Sequence, residues 1–196
     1  MNRNLVSGLV IGVFVGFLGG YFLGASRGSE DAPAMAAQAP PPPPPGAGAP
    51  PRPNPLEIQE RIVTTQQLVA ADPNNANAWV SLGNDYFDTQ QADKAVEAYG
   101  KALALAPGNP DVITDQGVMY RQLKAFDKAI ANFKQANKLR PTHLQSLYNL
   151  GLVYADDLKQ PEPARQAWNR VIALDPASSQ AALARQGLAT LPPGKP

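Results

Sequence analysis

The chain has 196 residues and a formal net charge of +1, so charge gives no basis for binding nucleic acid. It has no cysteine and one histidine, which excludes disulfides and thiolate metal sites and leaves little for metal ligation or Ser-His catalysis. There is also no glycine-rich phosphate loop, and no nucleophile has a base at a recognisable spacing. We therefore expect no metal, no cofactor and no enzymatic activity, and we expect His143 to lie in a surface turn.

The N-terminal region contains an uncharged run from Leu5 to Ala25. A helix of this length is about 31 Å long, which is enough to cross the hydrocarbon core of a bilayer. Residues 1–25 are therefore predicted to be a transmembrane signal anchor. A cleaved signal peptide is the alternative, but its apolar region is usually about 7–15 residues long, and Leu23-Gly24-Ala25 matches an Ala-x-Ala-like cleavage site poorly.

Glycines recur at every fourth position of this run, so on a helix they would form one continuous ridge. A ridge without side chains lets two membrane helices come into backbone contact. This predicts lateral association, either as a homo-oligomer or with the membrane helix of another protein, although glycine is also simply frequent in membrane helices. The predicted packing residues are Gly8, Gly12, Gly16, Gly20 and Gly24.

Two positive groups, the α-amine and Arg3, precede the run, and Arg27 follows it. This difference favours an N-terminus in the cytoplasm. We therefore expect a single-pass protein of a bacterial inner membrane, with the remaining chain in the periplasm.

Residues 26–55 are rich in proline, alanine and glycine and include six consecutive prolines, Pro40 to Pro45. This composition cannot build a core and favours polyproline II, which rises about 3.1 Å per residue. The segment is predicted to be a disordered linker that spaces the rest of the chain from the membrane. An SH3 or WW ligand is the alternative, but no such domain is expected outside a bacterial membrane.

A pattern of residues then returns at an interval of 34 from Ala76 to Pro176, with one extra residue in the Asp156 to Pro163 turn of the third unit. In the first unit, apolar residues at i, i+3, i+7 and i+8 from Trp79 mark one face of a helix. A second helix follows, and glycine and alanine are placed where the two must approach closely. The repeated residues include Gly83, Gly117 and Gly151; Tyr86, Tyr120 and Tyr154; Ala95, Ala129 and Ala164; Tyr99, Phe133 and Trp168; and Pro73, Pro107, Pro141 and Pro176.

The order of these residues resembles the tetratricopeptide repeat (TPR), a helix-turn-helix unit that stacks into a solenoid. The resemblance implies an all-α fold, a right-handed superhelix of helix hairpins over residues 56–191. Within it we expect a half repeat at 56–75, repeats at 76–109, 110–143 and 144–178, and a capping helix at 179–191. The second unit departs from the pattern, since Ile113 and Gln116 replace Trp79 and Leu82.

In this family the first helix of each pair lines a concave surface that takes a peptide from a protein partner. One subclass grips a C-terminal carboxylate with cations, but Val80, Gln145 and Asn149 stand at those places here. The groove is therefore expected to prefer apolar or amide-rich peptides, with a basic residue facing Asp111 or Asp115. By position, the predicted lining consists of Asn77, Val80, Asn84, Phe87, Thr114, Asp115, Val118, Arg121, Gln145, Tyr148, Asn149 and Leu152.

Two functions fit these features. The first is a membrane-anchored scaffold or adaptor that binds partner peptides in the groove, similar to anchored repeat proteins of bacterial envelopes. The second is a structural homo-oligomer assembled through the glycine ridge of the membrane helix.

Overall fold

The computed structural model describes residues 54–194 of the chain. The predicted anchor, its glycine ridge and most of the predicted linker lie outside these residues. Among the described residues, no helix is long and apolar enough to cross a membrane. The helices are α1 (Pro55–Ala71), α2 (Ala76–Asp88), α3 (Ala92–Leu105), α4 (Pro110–Gln122), α5 (Phe126–Leu139), α6 (Leu144–Leu152), α7 (Pro161–Leu174) and α8 (Ser179–Thr190).

Each helix packs against its neighbours in sequence, with the most extensive contacts within the pairs α2 and α3, α4 and α5, and α6 and α7. The first helices of successive pairs also touch, α2 with α4 and α4 with α6, and α6 contacts α8. Such nearest-neighbour stacking is the architecture of a solenoid. The predicted all-α solenoid of helix pairs is thereby confirmed for the described residues.

Side-chain caps set several helix starts, because the first N–H groups of a helix have no partner within it. Asn54 opens α1 with a capping box in which Glu57 reciprocates. Asn75 accepts a hydrogen bond from the N–H of Ala78, and Ser178 caps α8 through the N–H of Ala181.

The glycines of the period lie directly under an aromatic ring of the paired helix. A Cβ on Gly83 would lie 2.5 Å from Cδ1 of Tyr99, and one on Gly117 would lie 2.7 Å from Cε1 of Phe133. Gly151 lies at least as close to the five-membered ring of Trp168, and Gly187 of α8 lies against the six-membered ring of the same indole. The predicted close approach within each pair is confirmed, and the second glycine over Trp168 is a contact that the 34-residue period did not indicate.

Gln116 takes the position that Leu82 holds in the first unit, and it is satisfied by hydrogen bonds rather than by apolar contact. Its amide nitrogen donates to the carbonyl oxygen of Val96 at 3.0 Å, and its amide oxygen accepts from Nδ2 of Asn132 at 2.9 Å. A polar side chain is tolerated at such a site when it is hydrogen-bonded in this way. Gln116, the residue at which the second unit departs from the pattern, therefore has a polar partner in Asn132 on the facing helix.

The extra residue of the third unit lies earlier than we predicted. It does not lengthen the turn at 156–163 but is absorbed in a π-helical turn, Val153–Asp157, which continues α6. The connection between the two helices of the pair keeps three residues in every unit, and its middle residue has a positive φ at Gln90, Lys124 and Lys159 alike. The wider helical turn preserves this connection, and Val153 is fully buried within it.

Candidate peptide-binding groove

The helices α2, α4 and α6, with the π-helical turn, lie side by side and form the surface that we call the groove face. The predicted lining residues are distributed over it with different accessibility. Asn77, Asn84 and Gln145 are exposed, whereas Thr114 and Asn149 are buried. The remaining predicted residues are partly buried, namely Val80, Phe87, Asp115, Val118, Arg121, Tyr148 and Leu152.

Thr114 lies beneath this surface, with 1% of its area exposed. Its hydroxyl donates to the carbonyl oxygen of Pro110 at 2.7 Å and lies 3.4 Å from Nδ1 of His143. We expected His143 in a surface turn, but it is 7% exposed at the start of α6, and that expectation was wrong. The ring is held inward because Asp111 and Thr114 lie on either side of it, so both Thr114 and His143 support the wall of the groove.

Asp111 is already paired within the chain. Arg140 donates to both of its carboxylate oxygens, at 3.2 and 3.1 Å, and His143 Nε2 lies 2.9 Å from Oδ1. Burial pushes the pKa of Asp111 upward, but the hydrogen bonds from Arg140 and His143 outweigh it and hold the pKa below its ordinary value. Of the two acids expected to face a basic ligand residue, Asp111 is thus occupied.

Asp115, one helical turn further along α4, has no such support. Among residues 54–194 no side chain donates a hydrogen bond to its carboxylate or forms an ion pair with it. Burial and the nearby charge of Asp111 raise the pKa of Asp115 to about 6. The groove face therefore contains a partly buried carboxylate that is costly to ionise in the free protein.

Two asparagines bring amide groups to the groove face. Asn84 uses its carbonyl oxygen to accept the hydroxyl proton of Tyr99 at 2.8 Å, which leaves both of its amide hydrogens for another acceptor. Asn149 is 6% exposed, and its Nδ2 has no hydrogen-bond partner among the described residues. Unsatisfied buried donors are uncommon, so this amide has unused capacity for an acceptor.

Arg121 lies between α4 and the π-helical turn. It pairs with Asp157 and, at 3.6 Å, with Asp156, so its charge is neutralised within the chain. The sequence did not indicate this pairing, because the extra residue was assigned to a turn rather than to a widened helix that carries both aspartates.

At the other end of the groove face, Arg61 of α1 pairs with Asp85 of α2 and approaches Asp88 at 4.0 Å. Asp85 is 4% exposed. The signal that the sequence analysis missed is its position between Leu82 and Tyr86, an acid on the apolar face of α2 that requires a cation from a neighbouring helix.

Apolar side chains complete the surface. Tyr148 stacks on Trp168 with ring centroids 6.4 Å apart, and Trp168 Nε1 donates to the carbonyl oxygen of Tyr148 at 3.1 Å. Leu152 packs against the same cluster, and Val118 packs against the core of the first two units. The groove face thus combines fixed apolar groups with amides and one unpaired carboxylate.

Three family models match the chain. Two are described as tetratricopeptide repeat and cover residues 76–109 and 145–178, and one is described as TPR repeat and covers residues 117–157. Small glutamine-rich tetratricopeptide repeat-containing protein 2 of Mycosarcoma maydis is 29% identical over 107 residues, which is 55% of this chain and 29% of that protein. The chain spans less than a third of the length of three curated relatives, this one included.

Solved structures agree with this match. The crystal structure of MamA superposes with a TM-score of 0.60 over 68% of this chain and 80% of that one, at 24% identity, which supports the fold alone. The first TPR of Spaghetti (RPAP3), bound to the HSP90 peptide SRMEEVD, is 27% identical and superposes with a TM-score of 0.53 over 61% of this chain and 97% of that one. The family models therefore identify residues 76–109, 117–157 and 145–178 of this chain as tetratricopeptide repeats.

Proposed function

We propose that the chain is a membrane-anchored scaffold or adaptor that captures a peptide segment of a protein partner on its groove face. Tetratricopeptide repeats generally mediate protein-protein interactions and are typically not catalytic. The observation that carries the proposal is the combination of free amide donors at Asn84 and Asn149 with the apolar groups of Tyr148 and Leu152. An extended peptide needs both, since its main chain requires hydrogen bonds and its side chains require apolar contact.

The RPAP3 repeat was solved with SRMEEVD, an acidic peptide. The groove face of this chain suits a different ligand. Val80 and Gln145 provide no charge where a carboxylate would need a cation, and Asp115 would repel one. We therefore expect a peptide without a cluster of acidic residues.

The membrane part of the proposal rests on the apolar run from Leu5 to Ala25 and the charges that flank it. It places the chain in a bacterial inner membrane with the repeats in the periplasm. The predicted linker, which gives way to α1 at Pro55, would then hold the groove face away from the lipid surface, where a partner can reach it.

The experiment is crosslinking in intact cells that express the full chain, followed by affinity capture and mass spectrometry. A double variant, Asn84→Ala with Gln145→Ala, removes two groove-face amides. Its control, Gln135→Ala with Gln166→Ala, removes two exposed amides from α5 and α7. We expect specific partners to disappear with the first variant and to persist with the second, while thermal melting shows that both remain folded. An unchanged set of partners would contradict the groove.

A structural homo-oligomer remains the second candidate because the five glycines of the membrane segment are in register at intervals of four. It predicts that Gly12→Leu, Gly16→Leu and Gly20→Leu together dissociate the oligomer in detergent, whereas the groove variant leaves its size unchanged.

A further inference from the structure

We propose that the partner segment is basic, and that it places a lysine or arginine side chain on Asp115 while a main-chain carbonyl accepts a hydrogen bond from the Asn149 amide. This rests on the proposed function, since it names the class of peptide that the same groove face would select. Two independent observations lead to it, an unpaired carboxylate on α4 and an unsatisfied buried amide on α6.

Every other aspartate of α2, α4 and the π-helical turn has a basic side chain of the chain beside it. Arg61 pairs with Asp85 and Asp88, and Arg121 pairs with Asp156 and Asp157. Arg140 and His143 both pair with Asp111. Each of these arginines is thereby committed to an aspartate of the chain. Unlike these five aspartates, Asp115 forms no ion pair with any side chain among residues 54–194. A basic ligand residue would complete the pattern, and an acidic ligand residue would find no free cation in it.

The surroundings of Asp115 reinforce the preference for a positive ligand. The hydroxyl of Tyr99 has a raised pKa, first because it is buried and then because Asp115, Asp88 and Asp85 are close to it. The negative charges of α2 and α4 therefore act on the same region of the groove face. Repulsion of acidic segments adds to attraction of basic ones, and specificity commonly uses both.

Asn149 supplies the second contact. It stands 34 residues after Asp115, which is the same position in the next unit, and α4 and α6 lie side by side. Neighbouring helix axes are about 8–10 Å apart, which an extended peptide covers in about three residues. One short segment can thus span both groups, and the Asn149 amide, whose Nδ2 is closed to solvent in the free protein, must turn outward to meet its carbonyl.

A metal ion is a less suitable cation for this position. Within the part of the chain that the structure describes, no three histidine or acidic side chains converge closely enough to hold one. The ammonium or guanidinium of a peptide side chain suits this position better, because it needs only one charged contact. The main chain of the same peptide then supplies the carbonyl for the nearby amide.

The test uses the full chain in detergent micelles with a positional-scanning library of N-acetylated, C-amidated decapeptides. We expect wild-type protein to enrich lysine or arginine at one position, and Asp115→Asn to reduce affinity for the selected peptide about tenfold. Asp115→Lys should reverse the preference toward aspartate or glutamate at that position. The matched control is Asp127→Asn, an exposed aspartate of α5, which changes the net charge equally and should leave the preference intact.

The outcomes separate this inference from the function on which it rests. Selection of peptides without a basic residue, or a basic preference that survives Asp115→Asn, overturns the inference while peptide binding stands. If wild-type protein retains no peptide more strongly than the Asn84→Ala, Gln145→Ala variant does, the proposed function fails and this inference fails with it.

Discussion

At the scale of single residues, the repeat depends on glycines at positions where any side chain would collide with the aromatic ring of the paired helix. A Cβ on Gly151 would lie 2.5 Å from Cδ1 of Trp168, a ring that is 1% exposed and is fixed by its hydrogen bond to the carbonyl of Tyr148. We expect Gly151→Ala to lower the free energy of unfolding by about 3 kcal/mol, because a packed ring cannot move aside. Denaturant titration of the purified protein measures this loss.

Gly100 provides the control for this substitution. It lies within α3, and a Cβ there would have its nearest neighbour at 3.5 Å, Nε2 of Gln116, which is an ordinary contact. Gly100→Ala should therefore raise stability by up to about 1 kcal/mol through helix propensity. Equal losses at both positions would show that the ring contact does not explain the glycine at 151.

The titration of Asp115 also gives a prediction at this scale. Its pKa is 3.8 when unperturbed and about 6 in the folded protein, so the folded state binds the proton more tightly. The stability that this group contributes is complete below about pH 3.8 and is lost as the pH rises through about 6. Asp115→Asn cannot ionise, so it should raise stability at pH 7.5 by about 1–2 kcal/mol after allowance for partial exposure, and by little at pH 4.

The titration of Asp111 gives the opposite dependence of stability on pH. Its folded pKa lies below the ordinary value because Arg140 and His143 bind the ionised form. Its contribution is therefore present above the ordinary pKa and is lost as the pH falls, and Asp111→Asn should destabilise the protein at neutral pH. Thermal melting of both variants between pH 4 and 7.5 measures the two trends. A gain for both at neutral pH would contradict the assigned pairing.

At the scale of elements, the three helix pairs share one connection whose middle residue adopts a left-handed conformation. Lys159 has φ +55° and is exposed, and no hydrogen bond of its side chain is seen in the described region. A side chain costs about 1 kcal/mol in this conformation and glycine avoids that cost. Lys159→Gly should therefore raise stability by about 1 kcal/mol, measured by denaturant titration.

The helix interior supplies the control for the connection. Lys134 is exposed in the middle of α5, where glycine loses about 1 kcal/mol relative to good helix formers. Lys134→Gly should thus destabilise the protein by a similar amount. If both lysine substitutions lowered stability equally, the strain assigned to the connection would be absent.

At the scale of the whole molecule, the described helices form a linear stack in which each unit touches the next. Residues 1–25, which are predicted to be a membrane anchor, precede this stack in the sequence, and cell fractionation tests that prediction. We expect the full chain to remain with bacterial membranes after a carbonate wash and a chain without residues 1–25 to be released. A reporter active only in the periplasm, fused to the C-terminus, should be active. Release of the full chain by the wash would exclude the anchor.

Much of the fold could be predicted from the sequence because its signals are local or periodic. The 34-residue spacing of glycine, tyrosine and proline identified the helix pairs, and prolines end each unit since they clash with a continuing helix. The groove residues were predicted from the same period, because equivalent positions of successive first helices share one face, and they stay a prediction. The extra residue of the third unit was misplaced because a break in the period does not show whether the residue widens a helix or lengthens a turn.

The sequence by itself thus determined the units and their order, and it predicted which face of the first helices would meet a partner. Only the tertiary structure decided which charges on that face are free. Arg61 and Asp85 are 24 residues apart, Arg140 and Asp111 are 29 apart, and Arg121 and Asp157 are 36 apart. Coulomb attraction and desolvation depend on separations of a few ångströms in space, and these arise only when neighbouring units stack. Stacking pairs these aspartates and buries Thr114 and His143, while Asp115 is left without a cation in the described region.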